Sequence, residues 1–163
     1  MSIVKPQTYT STFETANMDA LAGDSQSFDT VLSDDTLYMP RDLHLTLTRA
    51  GDLLVPEGQL FAFYSHFLSG PVSSDSLAAE RTPLAKALKD AGFKFHVIDF
   101  SRQAFELMQR KRVLAEEMRS RFFAEGLISL YDHLVAESVD PQIRYDPNAM
   151  RQTRYLYHAL KIV

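Results

Sequence analysis

Two runs of aromatic and β-branched residues dominate the hydrophobic pattern, one at 59–65 (Gln-Leu-Phe-Ala-Phe-Tyr-Ser) and one at 93–99 (Phe-Lys-Phe-His-Val-Ile-Asp). Short runs of this kind, bounded by turn formers, predict strands. Between them Leu84, Leu88 and Ala91 share one helical face. Thr82 is placed to cap that helix, Pro83 suits its first position and Gly92 its end. The order is strand, loop, helix, strand, a β-α-β unit whose crossover sets the two strands parallel. Further along, Ala104, Leu107, Met108, Leu114, Ala115, Met118 and Phe122 form a stripe opposite Arg110, Arg112, Glu116 and Arg119. That pattern predicts a long amphipathic helix over 101–125, broken at Gly126 before a second helix over 127–137.

The remaining stretches are less regular. Leu43-His44-Leu45-Thr46-Leu47 alternates apolar and polar, and Arg49 to Asp52 supplies turn residues before Leu53, Leu54 and Val55. This predicts a β-hairpin. Asp140-Pro141 and Asp146-Pro147 bracket a turn-rich connector, after which Asn148 is expected to cap a last helix running to about Lys161. Residues 1–40 hold Lys5 against Glu14, Asp19, Asp24, Asp29, Asp34 and Asp35, and predict an irregular acidic arm. Phe13, Met18, Leu21, Phe28, Val31 and Leu37 are spaced along it as anchors to a surface. The expected fold is α/β (or α+β): a small mixed sheet with one β-α-β unit, a long amphipathic helix and C-terminal helices over 41–163, behind the arm.

Composition narrows the chemistry. A chain of 163 residues, 45% hydrophobic, makes one globular domain the default. It contains no cysteine, which excludes thiol catalysis and thiolate metal sites. Its five histidines are dispersed, so neither a metal nor a cofactor is expected. No apolar run approaches the ~20 residues of a membrane helix and 1–15 lacks the features of a leader, so the expected location is the cytoplasm or an intracellular or virion assembly.

Parallel strands bring their carboxyl ends together, and α/β sheets bind ligands there. Ser65, His66, Ser69 and Gly70 follow the first strand, Asp99, Ser101 and Arg102 the second, and Ser73 and Ser74 cross between them. Ser69, Gly70, Ser73, Ser74 and Arg102 outline an anion site at a helix start, and His66 beside Asp99 would make an oriented general base. Arg110, Lys111, Arg112, Arg151 and Arg154 form a basic set able to meet nucleic acid phosphates, or a solvated face balanced by nearby glutamates.

Two resemblances bear on these residues. Pro40 to Gly51, with His44 and Thr46, resembles the first His-x-Thr motif of the two-histidine phosphoesterases. The resemblance implies acid and base imidazoles acting on a phosphodiester. A second motif is missing, since His66, His96, His133 and His158 are not followed two residues later by Ser or Thr. Tyr64-Ser65, Val97-Ile98-Asp99 and Pro141-Gln142-Ile143 are similar to elements of thioredoxin-like domains, which implies a binding scaffold without the redox cysteines. The sequence reads as a non-catalytic interaction or assembly subunit, of the kind found by analogy in viral or phage assemblies, with another protein or a second copy as partner. The alternatives are a hydrolase or ligand-binding protein for a phosphate-containing small molecule, and an RNA-contacting accessory protein.

Overall fold

The computed structural model describes residues 11–12, 14–68, 73 and 75–162. Four strands, β1 (Phe28–Asp34), β2 (Leu54–Phe67), β3 (Phe93–Asp99) and β4 (Gln152–Lys161), form one sheet in the order β1-β2-β4-β3. β1 runs parallel to β2, while β4 is antiparallel to both β2 and β3. The fold is therefore mixed α/β, as the pattern predicts. β2 and β3 do share a direction, but β4 separates them, so the directly paired crossover is β1-α1-β2, with α1 spanning Leu43–Leu53.

The segment expected to form a hairpin is α1. Asp42 accepts a hydrogen bond from the Leu45 amide at 2.9 Å, capping the helix, and the Thr46 hydroxyl donates to the Asp42 carbonyl at 3.0 Å. Five residues of alternation fit a helix as well as a strand. The buried set Thr46, Leu47, Ala50 and Gly51 lies on one helical face. Within residues 1–40, Phe28–Asp34 is the edge strand β1, made from Asp, Thr and Ser as well as Val and Leu because an edge needs only one buried partner. Ahead of Leu60, Pro56, Glu57 and Gly58 bulge out of β2, and its register with β1 shifts there. A Cβ at Gly58 would stand 2.8 Å from the Val55 carbonyl, so this bend requires glycine.

The expected last helix is instead β4. Thr153, Tyr155, Tyr157 and Ala159 are buried at period two, and Leu156 and Leu160 merely coincide with helical spacing. The long helix is divided: α3 (Ser101–Glu117) turns at Met118 into α4 (Arg119–Ala124), and Gly126, at φ +71°, leads into α5 (Ile128–Ala136). α2 (Pro83–Asp90) follows its predicted bounds, with Thr82 accepting from the Ala85 amide at 3.0 Å and Gly92 at φ +79° after it. No helix among the described residues is long and apolar enough to cross a membrane.

α1 and α2 cover one sheet face. Leu47, Leu84 and Leu88 from the helices meet Leu54, Leu60, Ala62, Tyr157 and Ala159 of the sheet, all fully or almost fully buried. Tyr157 crosses this core, its hydroxyl donating to the Ala79 carbonyl at 2.6 Å and lying 2.6 Å from Thr82 Oγ1. Burial pushes the phenol's pKa up, so it stays a neutral donor. The opposite face is less covered: Leu32 is 70% exposed, and Ile98 and Leu160 are also exposed. There His158 stacks on Phe61 at 4.4 Å, meets His96 edge-on at 4.6 Å and pairs with Gln59 at 2.8 Å.

Two outcomes follow from this packing. Tyr157→Phe is expected to cost about 1 kcal/mol, because it removes a buried hydrogen bond to the Ala79 carbonyl while the Thr82 hydroxyl keeps its bonds to Ala79 and Ala85; a urea midpoint equal to wild type would contradict the role given to that bond. Burial, and then the neighbouring His96, hold the His158 pKa below its ordinary value. Unfolded chain therefore takes up the proton first, so the contribution of His158 to stability is whole above about pH 6.5 and is lost as pH falls through the lower folded value. An NMR titration should place its midpoint below about 6.5 and nearer to that value in His96→Ala; an unshifted midpoint in the wild type would refute the assignment.

Candidate functional site

The carboxyl ends of β1, β2 and β3 and the amino end of β4 share one edge of the sheet. β1 passes into Asp35, a non-glycine residue at φ +55°, and that turn aims its carboxylate back over β2. The Asp35 amide donates to the Phe63 carbonyl at 3.1 Å, and its Oδ1 accepts from the Ser65 amide at 3.1 Å. Arg154, opposite Ser65 on β4, donates from Nη1 to Asp35 Oδ2 at 2.5 Å and to Ser65 Oγ at 3.1 Å. Its Nη2 lies 3.5 Å from Asp34 Oδ1, and the guanidinium sits 5.7 Å from the Phe63 ring. The planar fork of arginine spreads its donors over both acids and a hydroxyl at once, where an ammonium gathers them at a single point.

Burial grades this cluster. Ser65 is buried, the side chains of Arg154 and Asp35 are each 28% exposed, and Asp34 is 77% exposed. Asp35 is thus committed to structure, while Asp34 presents a carboxylate to solvent beside a fixed cation. On the far side of β4 the Arg154 amide donates to Ser101 Oγ at 3.0 Å, and Asp99 Oδ1 accepts from the Ser101 amide at 2.8 Å. A continuous polar line therefore runs from β1 to the start of α3. Backbone strain at Asp35 is of the kind that surrounding structure must hold in place.

The residues singled out from sequence are distributed as follows. Ser65 and Arg154 belong to the cluster. His66 pairs with Thr153 and Asp99 with Tyr155, so β4 stands between that histidine and that aspartate. Ser69, Gly70 and Ser74 lie outside the described residues. Ser73 bonds Ser76 within its own turn, and Arg102 stacks on Tyr145 at 4.8 Å. His44 is exposed on α1 whereas Thr46 is buried and bonded to backbone, so the two do not face one ligand, and the strand setting implied by the phosphoesterase resemblance is absent. Lys111 pairs with Glu137 at 2.9 Å and Arg112 with Glu116 at 3.3 Å on the α3 side, and Arg151 precedes β4. Asp34 and Asp35 are the residues that sequence reasoning missed. The signal was slight, two acids closing a short run around Val31 and Leu32 at what proves to be a strand end.

No protein-family model matches the chain, and no curated protein sequence matches it. Solved structures do. Phosphoethanolamine N-methyltransferase 2 of Haemonchus contortus, solved with phosphomonomethylethanolamine and S-adenosylhomocysteine, matches at TM-score 0.69 and 20% identity, over 89% of this chain and 36% of that one. The cyclase SpnF matches at 0.61 and 20% identity, over 91% and 56%. Geranyl diphosphate C-methyltransferase of Streptomyces coelicolor matches at 0.56 and 13% identity, over 90% and 52%. The chain thus spans between about a third and three fifths of the lengths of these structures. At such identities the likeness shows the fold, a Rossmann-like α/β arrangement shared with methyltransferases. It corrects the expectation of a non-catalytic interaction or assembly subunit, since the proteins that share this fold over nine tenths of the chain are catalysts.

The cluster makes its own prediction. Arg154→Ala should destabilise the protein by about 1–3 kcal/mol by leaving Asp35 without its cation, and Arg154→Lys should recover less than half of the loss. Variants within experimental error of wild type in urea denaturation would contradict the cluster's structural weight.

Proposed function

We propose that this chain serves methyl transfer as the acceptor-binding part of a methyltransferase-type α/β domain. The observation that carries the reading is the sheet order β1-β2-β4-β3, one parallel pair with an antiparallel strand inserted, in a chain nine tenths of which superposes on methyltransferases. In open α/β sheets, ligands bind outside the carboxyl ends of the strands. Here that edge carries the cluster of Asp34, Asp35, Ser65 and Arg154.

S-adenosylmethionine, present in two of the similar structures, is the cofactor such a fold implies. It brings an amino acid, a ribose and an adenine that all need walls, and supplies an electrophilic methyl group when bound. Among the described residues no glycine-rich turn follows a strand, no strand lies beyond β1, and Asp35 is already taken by Ser65 and Arg154. These residues do not fit the cofactor by themselves. What they do fit is the acceptor: Asp34 can accept an N–H or O–H from it, Arg154 fixes that acid in place, and Phe63 lends an apolar surface beside them. Orienting an acceptor in this way is worth much of the barrier in a two-reactant transfer.

The test is an assay of methyl incorporation from labelled S-adenosylmethionine in a soluble extract of the source, supplemented with purified chain. Added wild-type protein should raise incorporation, and Asp34→Asn should cut the increment roughly tenfold to hundredfold. No increment with wild-type protein would sink the proposal.

A further inference from the structure

The long helix α3 buries only part of its apolar stripe. Phe105 and Ala115 are buried, and on the same side of the chain Lys111 pairs with Glu137 at the end of α5. Leu107 and Leu114 belong to that stripe in the sequence, yet they are 59% and 55% exposed, and Val113 is exposed beside Leu114. Neighbouring apolar residues rimmed by charge mark a contact surface.

The rim has a definite charge pattern. Glu106, Gln109, Arg110, Val113, Leu114 and Glu117 line a shallow groove along α3 alone. Gln109 is already engaged, donating to the carbonyls of Asp140 and Ile143 at 3.1 and 2.8 Å. Lys111, Arg112 and Arg121 hold Glu137, Glu116 and Glu125. Glu106, Arg110 and Glu117, by contrast, are exposed and form no ion pair among the described residues. A groove made by one helix has no far wall to enclose a small molecule. It has the shape onto which a second helix packs.

We infer that two copies of this chain pair through α3, antiparallel about a two-fold axis level with the midpoint between Val113 and Leu114. In such a pair, residues equally far on either side of the axis stand opposite each other. Arg110 then faces Glu117 of the second copy, Glu117 faces the second copy's Arg110, and Val113 and Leu114 of both copies meet at the centre. Charge selects this register. An axis between Arg110 and Lys111 would set Leu107 against Leu114 but bring the cations of the two copies face to face, and a parallel pair would set Arg110 on Arg110 and Glu117 on Glu117. The face carries its own complement, which is what a second copy requires and an unrelated partner does not. The pairing uses no residue of the polar cluster and is independent of methyl transfer.

The test is sedimentation equilibrium of the whole chain over about 5–500 µM. Wild type should dimerise with a micromolar dissociation constant, and Leu114→Asp should remain monomeric across the range. Arg110→Glu and Glu117→Arg should each weaken the dimer roughly tenfold by setting like charges opposite each other, and the double variant should return to within about threefold of wild type. All three positions are exposed, so the urea midpoints of the variants should stay at the wild-type value. A wild-type monomer throughout, a dimer that survives Leu114→Asp, or a double variant no tighter than the single ones would each overturn the inference. Because the readout is mass alone, failure here leaves the methyl-transfer reading untouched, and failure of that assay leaves this one untouched.

Discussion

The structure depends on the placement of β4 between β2 and β3. β4 runs antiparallel to both of its neighbours, and the β2-α2-β3 crossover gives those two neighbours their common direction. Its buried residues Tyr155, Tyr157 and Ala159 then fill the core beneath α1 and α2. Its first residues, Thr153 and Arg154, face opposite sides of the sheet, as successive strand residues must. One strand thus sets the core and carries the cation of the polar cluster.

That placement links stability to the functional edge. Arg154 reaches Asp35 across 119 residues of sequence, and its backbone amide joins β4 to the start of α3 through Ser101. The strained backbone at Asp35 is held by bonds to Phe63, Ser65 and Arg154, none of which is local. The carboxyl ends of the strands are therefore fixed by the same contacts that present Asp34 to solvent. Meanwhile the outer side of β1 and the exposed Leu32 leave that edge of the sheet uncovered among the described residues.

Local signals were legible in the sequence and non-local ones were not. Thr82, Pro83 and Gly92 mark α2 because a cap, a first-turn proline and a left-handed stop act within a few residues. β2 and β3 stand out because aromatic and β-branched runs have few other uses. β4 reads as a helix in sequence because Leu156 and Leu160 match four-residue spacing, and its true period rests on neighbours more than fifty residues away. α1 reads as a hairpin because Leu43 to Leu47 is too short to separate two periods. The site followed the same rule. Ser65, Asp99 and Arg154 were visible as residues, but Asp34 and Asp35 looked like part of an acidic arm until β1 placed them at a strand end. Function lay further off still, since the likeness to methyltransferases is one of fold at 20% identity or less.

The measurement that bears most directly on this account is an amide hydrogen-exchange map of the purified chain. A half-open sheet centred on β4 predicts the slowest exchange at Tyr155 to Ala159 and in the facing part of β2, with fast exchange along β1. Fast exchange over the last ten residues, or protection of β1 equal to that of β2, would contradict the sheet order on which the functional reading rests.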